Sequence, residues 1–206
     1  TNASHELKTP ITVIVTCLKL LEMEVGPQKW IDKARIQTDK LKELVNSLVS
    51  LARLDEQEGT KRHSSFAVSD AVLETAESFR ELAENTNHRL KIQIAPNLTY
   101  AGDEYAIRQL VSILLDNAIK YAPPDTDISF VLESRKRGIL LRTENVSAAP
   151  LVGNLDRWFD RFYRDDPARN EQTGGFGIGL SIARAIVENH NGNIHAVKKS
   201  ENTVQI

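Results

Sequence analysis

The chain has 206 residues, 41% hydrophobic and 26% charged, a balance ordinary for soluble globular domains and enough for one or two hydrophobic cores. A formal net charge of -2 and a pI of about 6.2 offer none of the basic excess that nucleic acid requires. No run of about 18 apolar residues is present, so no membrane span is expected. The single cysteine, Cys17, excludes an intrachain disulfide, fits a reducing compartment and reads as a small core residue.

Residues 3 to about 24 read as a helix with Ile11, Ile14, Val15, Leu18 and Leu20 or Leu21 on one stripe. Gly26-Pro27 breaks it, and a second helix is expected over about 28–58. There Ala34, Thr38, Leu41, Val45, Leu48 and Ala52 alternate spacings of four and three, a heptad seam that Leu44, Leu51 and Leu54 widen. Two helices with a short loop make an antiparallel hairpin. A hairpin cannot bury such stripes alone, whereas a second copy completes a four-helix bundle. Residues 1–60 are therefore expected to form a dimerising hairpin. Residues 55–65 are polar and unpatterned and read as the linker, with His63 a solvated loop residue.

Residues 65–206 mix strands and helices. A short strand is expected over 66–68. Ser69 or Asp70 should cap a helix reaching about 86, with Val72, Ala76, Phe79 and Leu82-Ala83 inward. Leu90, Ile92 and Ile94 alternate as a half-buried strand, and 98–101 is another. Asp103 caps a helix through Ile107, Leu110, Val111, Leu114 and Leu115. Strands over 126–134 and 138–145 form a hairpin, followed by an irregular segment to about 176. A last helix covers about 177–190 and ends at Gly192, with closing strands at 194–197 and 204–206. This order favours an α+β domain with helices on one face of a largely antiparallel sheet.

Four stretches carry chemistry. In Ser4-His5-Glu6-Leu7-Lys8-Thr9-Pro10, His5 and Thr9 lie one helical turn apart on one face, and Glu6 can reach the imidazole edge. Imidazole is a nucleophile at neutral pH, and a carboxylate can hold its other nitrogen in the reactive tautomer. From these seven residues alone a solvated first helical turn is the better reading. On the helix after Asp103, Asn117, Lys120 and Tyr121 share a face: an amide oxygen can ligate magnesium, an ammonium can neutralise phosphate and a ring can cover a base. For the triad alone, a solvated helix face with a core-edge tyrosine is the better reading. The run Gly174-Gly175-Phe176-Gly177-Ile178-Gly179-Leu180 leads into a helix start, where backbone amides and the dipole favour anions. It lacks the Gly-Lys-Ser/Thr of a P-loop and fits a dinucleotide fingerprint poorly. The segment Arg157 to Arg164 holds Trp158, Phe159, Phe162 and Tyr163; Phe159 and Phe162 read as core residues of a loop.

The His5 stretch resembles the phosphoacceptor box of sensor histidine kinases. The other three, taken in chain order, resemble the asparagine, aromatic and second glycine boxes of that family's ATP-binding domain. The resemblance spans the chain from Ser4 to about residue 206, and the joint pattern is far more specific than any part. It implies a helical hairpin forming a dimeric four-helix bundle, followed by an α/β sandwich ATP-binding domain of the histidine kinase, gyrase and chaperone type. His5 would be phosphorylated by ATP, Glu6 would assist as base, and Thr9 would orient water when phosphate leaves a partner. Asn117 would hold magnesium, Lys120 and Arg164 would contact phosphates, and Tyr121 would line the adenine pocket. Gly175, Gly177 and Gly179, with Leu180 following, would form the lid hinge and phosphate-facing turn.

Two departures accompany the resemblance. A second asparagine, often found four residues before Asn117, is Ile113 here. The first glycine box, Asp-x-Gly-x-Gly, counts back without gaps from Phe159 to Asn145, Ser147 and Ala149. The family's aspartate accepts a hydrogen bond from the adenine amino group. Asn145 can accept it through its oxygen, or turn over and donate to a guanine carbonyl.

The resemblance implies a protein-histidine autokinase that passes phosphate to the aspartate of a response-regulator receiver domain and also dephosphorylates that regulator. The departures motivate an alternative, a dimeric regulator-binding scaffold with weak or no kinase activity. An ATPase of the gyrase and chaperone group would need a glutamate at position 113 to activate water, and Ile113 cannot act as a base. With four residues before His5, the chain is expected to be the cytoplasmic portion of a membrane-anchored sensor.

Overall fold

The computed structural model describes residues 2–56, 64–136, 138–148, 150–163 and 176–206, with side chains 2–8 and 53–56 outside that description. The chain divides into two compact units, Thr1–Glu56 and Gln57–Ile206.

The first unit is a helical hairpin of α1 (Asn2–Val25) and α2 (Lys29–Glu56). Gly26, at φ +74, and Pro27 turn the chain between them: the left-handed glycine ends α1 and the proline cannot continue it. Ile11, Thr38, Val45 and Leu51 are buried. Thr38 satisfies its hydroxyl by donating to the Ala34 carbonyl at 2.8 Å. Arg35 of α2 bonds Glu22 of α1 at 3.1 Å and Asp32 at 2.7 Å. The expected stripes are only partly covered. Ile14, Leu20, Leu21, Leu41 and Leu48 are exposed, as are Val13 and Ile36. Cys17, expected in the core, is exposed as well. Two helices cover one strip of each other, so a stripe wider than that strip stays outside within a single hairpin.

The second unit contains β1 (Ser64–Ala67), α3 (Val68–Glu77), α4 (Arg80–Asn85), β2 (Arg89–Ile94), β3 (Thr99–Gly102), α5 (Glu104–Tyr121), β4 (Asp127–Arg135) and β5 (Gly138–Val146). A 3-10 turn follows at Leu155–Phe159, then α6 (Gly179–Asn189), β6 (Val197–Lys198) and β7 (Thr203–Gln205). The main sheet has the order β2-β4-β5-β7-β6, and β1 pairs with β3 in a separate antiparallel ribbon. Within the main sheet β4–β5, β5–β7 and β6–β7 are antiparallel, but β2 and β4 are parallel. The sheet is thus largely antiparallel, as expected, with β2–β4 its one parallel pair among the described residues. That pair arises because α5 carries the chain back across the sheet between the two strands, the crossover a parallel pair requires.

Helices α3 and α5 pack on the sheet, and α6 packs on α5. Phe130, Ile128 and Leu132 of β4, Val111 and Leu115 of α5, Val68 and Val72 of α3, and Ile178 and Ile186 at α6 are almost wholly buried. Each contributes roughly 1.5–3 kcal/mol by leaving water. Arg108 of α5 ties α3 down, donating to the Ala71 carbonyl at 3.1 Å and pairing with Glu74 at 2.9 Å and Glu104 at 2.8 Å. Both carboxylates push the Arg108 pKa above its usual value, Glu104 the more strongly. At the far end of α5 the buried His88 ring lies 2.9 Å from Thr86 Oγ1 and 3.3 Å from the Ala122 carbonyl.

The single helix expected up to residue 86 is two, broken at Ser78-Phe79, and Leu82 is exposed rather than inward. Neither Ser69 nor Asp70 caps it, since Ala67 precedes the first turn. The Ser69 hydroxyl instead donates to the Ala95 carbonyl at 2.6 Å and accepts from the Leu98 amide at 2.8 Å. It holds the β2–β3 connection, a partner that only the tertiary fold supplies. Asp103 caps α5 as expected, accepting from the Ala106 amide at 3.1 Å. Asn191, at φ +57, takes the left-handed position after α6, with the Gly192 amide bonded to the Val187 carbonyl at 2.9 Å. Of the strand expected at 194–197 only Val197 is paired.

Candidate functional site: a nucleotide cleft and a phosphoacceptor helix

The C-terminal turns of α5 present Asn117 and Lys120 at half-buried positions and Tyr121 at 41% exposure. The apolar face of the same helix, from Ala106 to Ile119, is fixed in the core, so these polar groups have a set direction. Neither the Asn117 amide nor the Lys120 ammonium is engaged by another side chain among the described residues. Two hydrogen-bonding groups are thus held in place and left for something else to use.

The start of α6 faces α5. Gly177 lies at φ +68, and a Cβ there would stand 2.5 Å from the Tyr163 carbonyl oxygen and 2.9 Å from the Phe162 carbonyl carbon. Its own carbonyl accepts from the Phe162 amide at 2.8 Å. Only glycine meets both the dihedral and the approach. A Cβ on Gly179 would lie 3.7 Å from Ile113 Cγ2, so the helix start rests on Ile113, one turn before Asn117. No side chain caps α6, and Ile178 at the cap position leaves the first-turn amides to a ligand. Leu180 is 8% exposed and anchors that turn in the core.

Asn145 lies on β5 between Ile128 of β4 and Val204 of β7 and is 6% exposed. Its side-chain nitrogen donates to the Val146 carbonyl at 2.9 Å, which leaves Oδ1 as the acceptor. Beyond it the Ser147 amide bonds the Asn202 carbonyl at 2.6 Å, while Ala149 lies outside the described residues.

In the aromatic segment Phe159 is 2% exposed, with Arg184 of α6 4.9 Å from its ring centroid. Trp158 packs against Leu151, Leu155 and Val204. Phe162, expected in the core, is 59% exposed at φ +64. Its backbone is committed to the clasp with Gly177, which turns the ring outward. Arg157 stacks on Tyr163 with its guanidinium 4.5 Å from the ring centroid. Arg164 and Gly175 lie outside the described residues.

His5 and Glu6 fall within α1, but their side chains lie outside the description; Thr9, one turn on, is exposed. Pro10 sits inside the same helix. Its missing N–H leaves the Glu6 carbonyl without the usual intrahelical bond, which loosens the helix at the residue beside His5.

Sequence reasoning missed His190. Its ring spans the end of α6 and the start of α5, lying 2.7 Å from the Ile186 carbonyl and 3.1 Å from the Asp103 amide. The available signal was Gly102, immediately before the capping Asp103, whose Cβ would collide with Tyr100 and His190.

An α/β sandwich in which a glycine-bearing helix start packs on α5 near an asparagine amide and a lysine ammonium, neither engaged among the described residues, has the layout of a nucleotide-binding ATPase-type domain. Residues 102–206 match the family described as Histidine kinase-, DNA gyrase B-, and HSP90-like ATPase, and residues 1–57 match the His Kinase A (phospho-acceptor) domain. The chain is similar to the sensor protein DltS of Streptococcus agalactiae, 34% identical over 97% of this chain and 50% of the relative. It is also similar to the sensor protein CiaH of Streptococcus pneumoniae, 31% identical over 94% of this chain and 44% of the relative. Its fold is similar to full-length ShkA in complex with AMPPNP, with a TM-score of 0.76 over 99% of this chain and 43% of that one at 18% identity, and to the Acinetobacter baumannii histidine kinase AdeS, with a TM-score of 0.66 over 98% of this chain and 96% of that one at 22% identity. The chain belongs to the sensor histidine kinases of two-component systems, and it spans about half the length of the curated relatives it matches.

Proposed function

We propose that the chain is an ATP-dependent protein-histidine autokinase that phosphorylates His5. The observation that carries this reading is the pairing of a phosphoacceptor hairpin with a domain whose α6 start, Ile113 and Asn117 lie in successive turns of one helix pair. We assign residues 1–60 to dimerisation and phosphotransfer and residues 65–206 to ATP binding. The first-turn amides of α6 and Gly177 receive phosphate oxygens, Lys120 and Arg164 neutralise them, and Tyr121 and Asn145 line the adenine. Positioning and charge neutralisation do most of the work of phosphoryl transfer. An imidazole nitrogen of His5 attacks the γ-phosphorus, the bond to the β,γ-bridging oxygen breaks, and ADP leaves. Glu6 takes the proton from the other ring nitrogen.

The residues fit magnesium bound through phosphates. No group of three His, Cys, Asp or Glu that could hold a metal occurs among the described residues, whereas the unengaged Asn117 amide oxygen is a hard ligand. Bound there, the ion supplies charge neutralisation on the transferring phosphoryl group.

The phosphate passes on to a receiver-domain aspartate, and Thr9 orients water when the regulator is dephosphorylated. The exposed apolar residues of the hairpin, Leu41 and Leu48 among them, support a homodimer with a four-helix bundle. No described helix is long and apolar enough to cross a membrane. We place the chain on the cytoplasmic side of a membrane-anchored sensor. Ile113 favours a second reading, a regulator-binding scaffold of low kinase activity, because it offers no ligand where the family often has an asparagine.

Incubation with γ-labelled ATP separates the two. A label on the chain that is stable to alkali and labile to acid supports the kinase, and no label with intact regulator binding supports the scaffold.

A further inference from the structure

The nucleotide cleft depends on how far α6 is advanced along α5, and two contacts mark that register at its two ends. At one end Gly179 rests on Ile113, 3.7 Å from a notional Cβ. At the other, His190 meets Asp103. Residues 179–190 span about 16 Å and residues 103–113 about 15 Å at the helical rise, so the two contacts agree in one antiparallel register. The Gly179 contact is apolar and tolerant of sliding. The His190 contact is directional.

Two of the hydrogen bonds of His190 fix its tautomer. The Ile186 carbonyl can only accept, so Nδ1, at 2.7 Å, carries the proton. The Asp103 amide can only donate, so Nε2, at 3.1 Å, accepts. The ring is clamped by its surroundings. Tyr100 lies alongside at 5.9 Å between centroids, tilted 33°, and Phe66 backs Tyr100 edge-on at 6.3 Å. Gly102 leaves the space: a Cβ there would lie 2.9 Å from His190 Cδ2 and 2.6 Å from Tyr100 Cε1.

We infer that His190 is a positioning residue for the nucleotide site, a register pin that holds the α6 start opposite Asn117 from the far end of the helix pair. It touches no substrate in this arrangement. A slip of α6 by one turn would move the phosphate-facing amides by about 5 Å relative to Asn117. The inference rests on the nucleotide reading of the cleft.

The test uses the full 206-residue chain and MgATP, with the parent, His190→Phe, His190→Gln and Gly102→Ala. His190→Phe keeps a ring and loses both hydrogen bonds. His190→Gln can still donate and accept. Gly102→Ala keeps the imidazole and displaces it, which serves where His190→Phe fails to fold. Binding is measured by calorimetry and autophosphorylation by labelled ATP, well below each variant's melting temperature. The expected result is a rise in Kd and KM on the order of tenfold for His190→Phe and Gly102→Ala, with kcat at saturation changed far less and His190→Gln restored to near parent. A merely structural role would lower the melting temperature without this split or rescue, and that result overturns the pin. Variants that bind MgATP like a binding-competent parent overturn the pin alone. A parent that does not bind MgATP overturns the nucleotide reading, and the pin with it.

Discussion

The Asn145 side-chain nitrogen donates to the Val146 carbonyl oxygen at 2.9 Å. A carbonyl accepts and never donates, so this bond fixes which way the amide faces. Turning it over would set two oxygens against each other in a site only 6% exposed. The side chain therefore offers Oδ1, an acceptor suited to an adenine amino group and repelled by a guanine carbonyl. The sequence left both orientations open. Asn145→Leu is expected to weaken ATP binding on the order of tenfold and to narrow the gap between ATP and GTP. Calorimetry of both chains with both nucleotides checks it, and unchanged ATP affinity would move the adenine site elsewhere.

Gly177→Ala should be more damaging than its size suggests. The position is left-handed, and the new methyl would sit 2.5 Å from the Tyr163 carbonyl oxygen. The dihedral alone costs about 1 kcal/mol, and the clasp with Phe162 must open as well. A lower melting temperature together with weaker MgATP binding is expected. Retention of both would mean the clasp is dispensable.

Leu41 and Leu48 are 44% and 43% exposed on α2 although they occupy a heptad seam. Replacing both with Glu leaves each isolated hairpin little changed, but sets buried like charges in a bundle of two hairpins. Light scattering should show a dimer for the parent and a monomer for the double variant. A variant that remains dimeric would place the contact on another face.

His5→Gln is expected to abolish labelling from γ-labelled ATP and to leave MgATP affinity unchanged, because the two lie in separate compact units. Thr9→Ala should keep autophosphorylation and lose most dephosphorylation of the regulator. Labelling of the Gln variant, or parallel loss of both activities in the Ala variant, would remove these assignments.

Leu115 is wholly buried in α5 against the sheet. Leu115→Ala is expected to cost about 2–5 kcal/mol, read as a lower denaturant midpoint.

Periodicity and turn chemistry are local, and they made most of the fold legible. The heptad of α2, the Gly26-Pro27 break, the Asp103 cap and the alternation of β2 depend on residues within a turn or two of each other. The spacing within the boxes is local too: His5 with Thr9, and Asn117 with Lys120 and Tyr121, are helical neighbours, although only their joint occurrence along the chain gave them a specific meaning. Other features depend on distant partners. Ser69 left its expected cap for Ala95 and Leu98, β2 paired parallel to β4, and Phe162 turned outward to meet Gly177. The direction of the Asn145 amide and the register of α6 on α5 belong to the same kind. Hydrogen-bond direction and helix register are set by groups far apart in sequence, and only packing brings Asp103 to His190. The sequence by itself determined the family, the helical hairpin and the residue types of the cleft. The tertiary structure decided their geometry, because one chain's local preferences leave open which distant groups will meet.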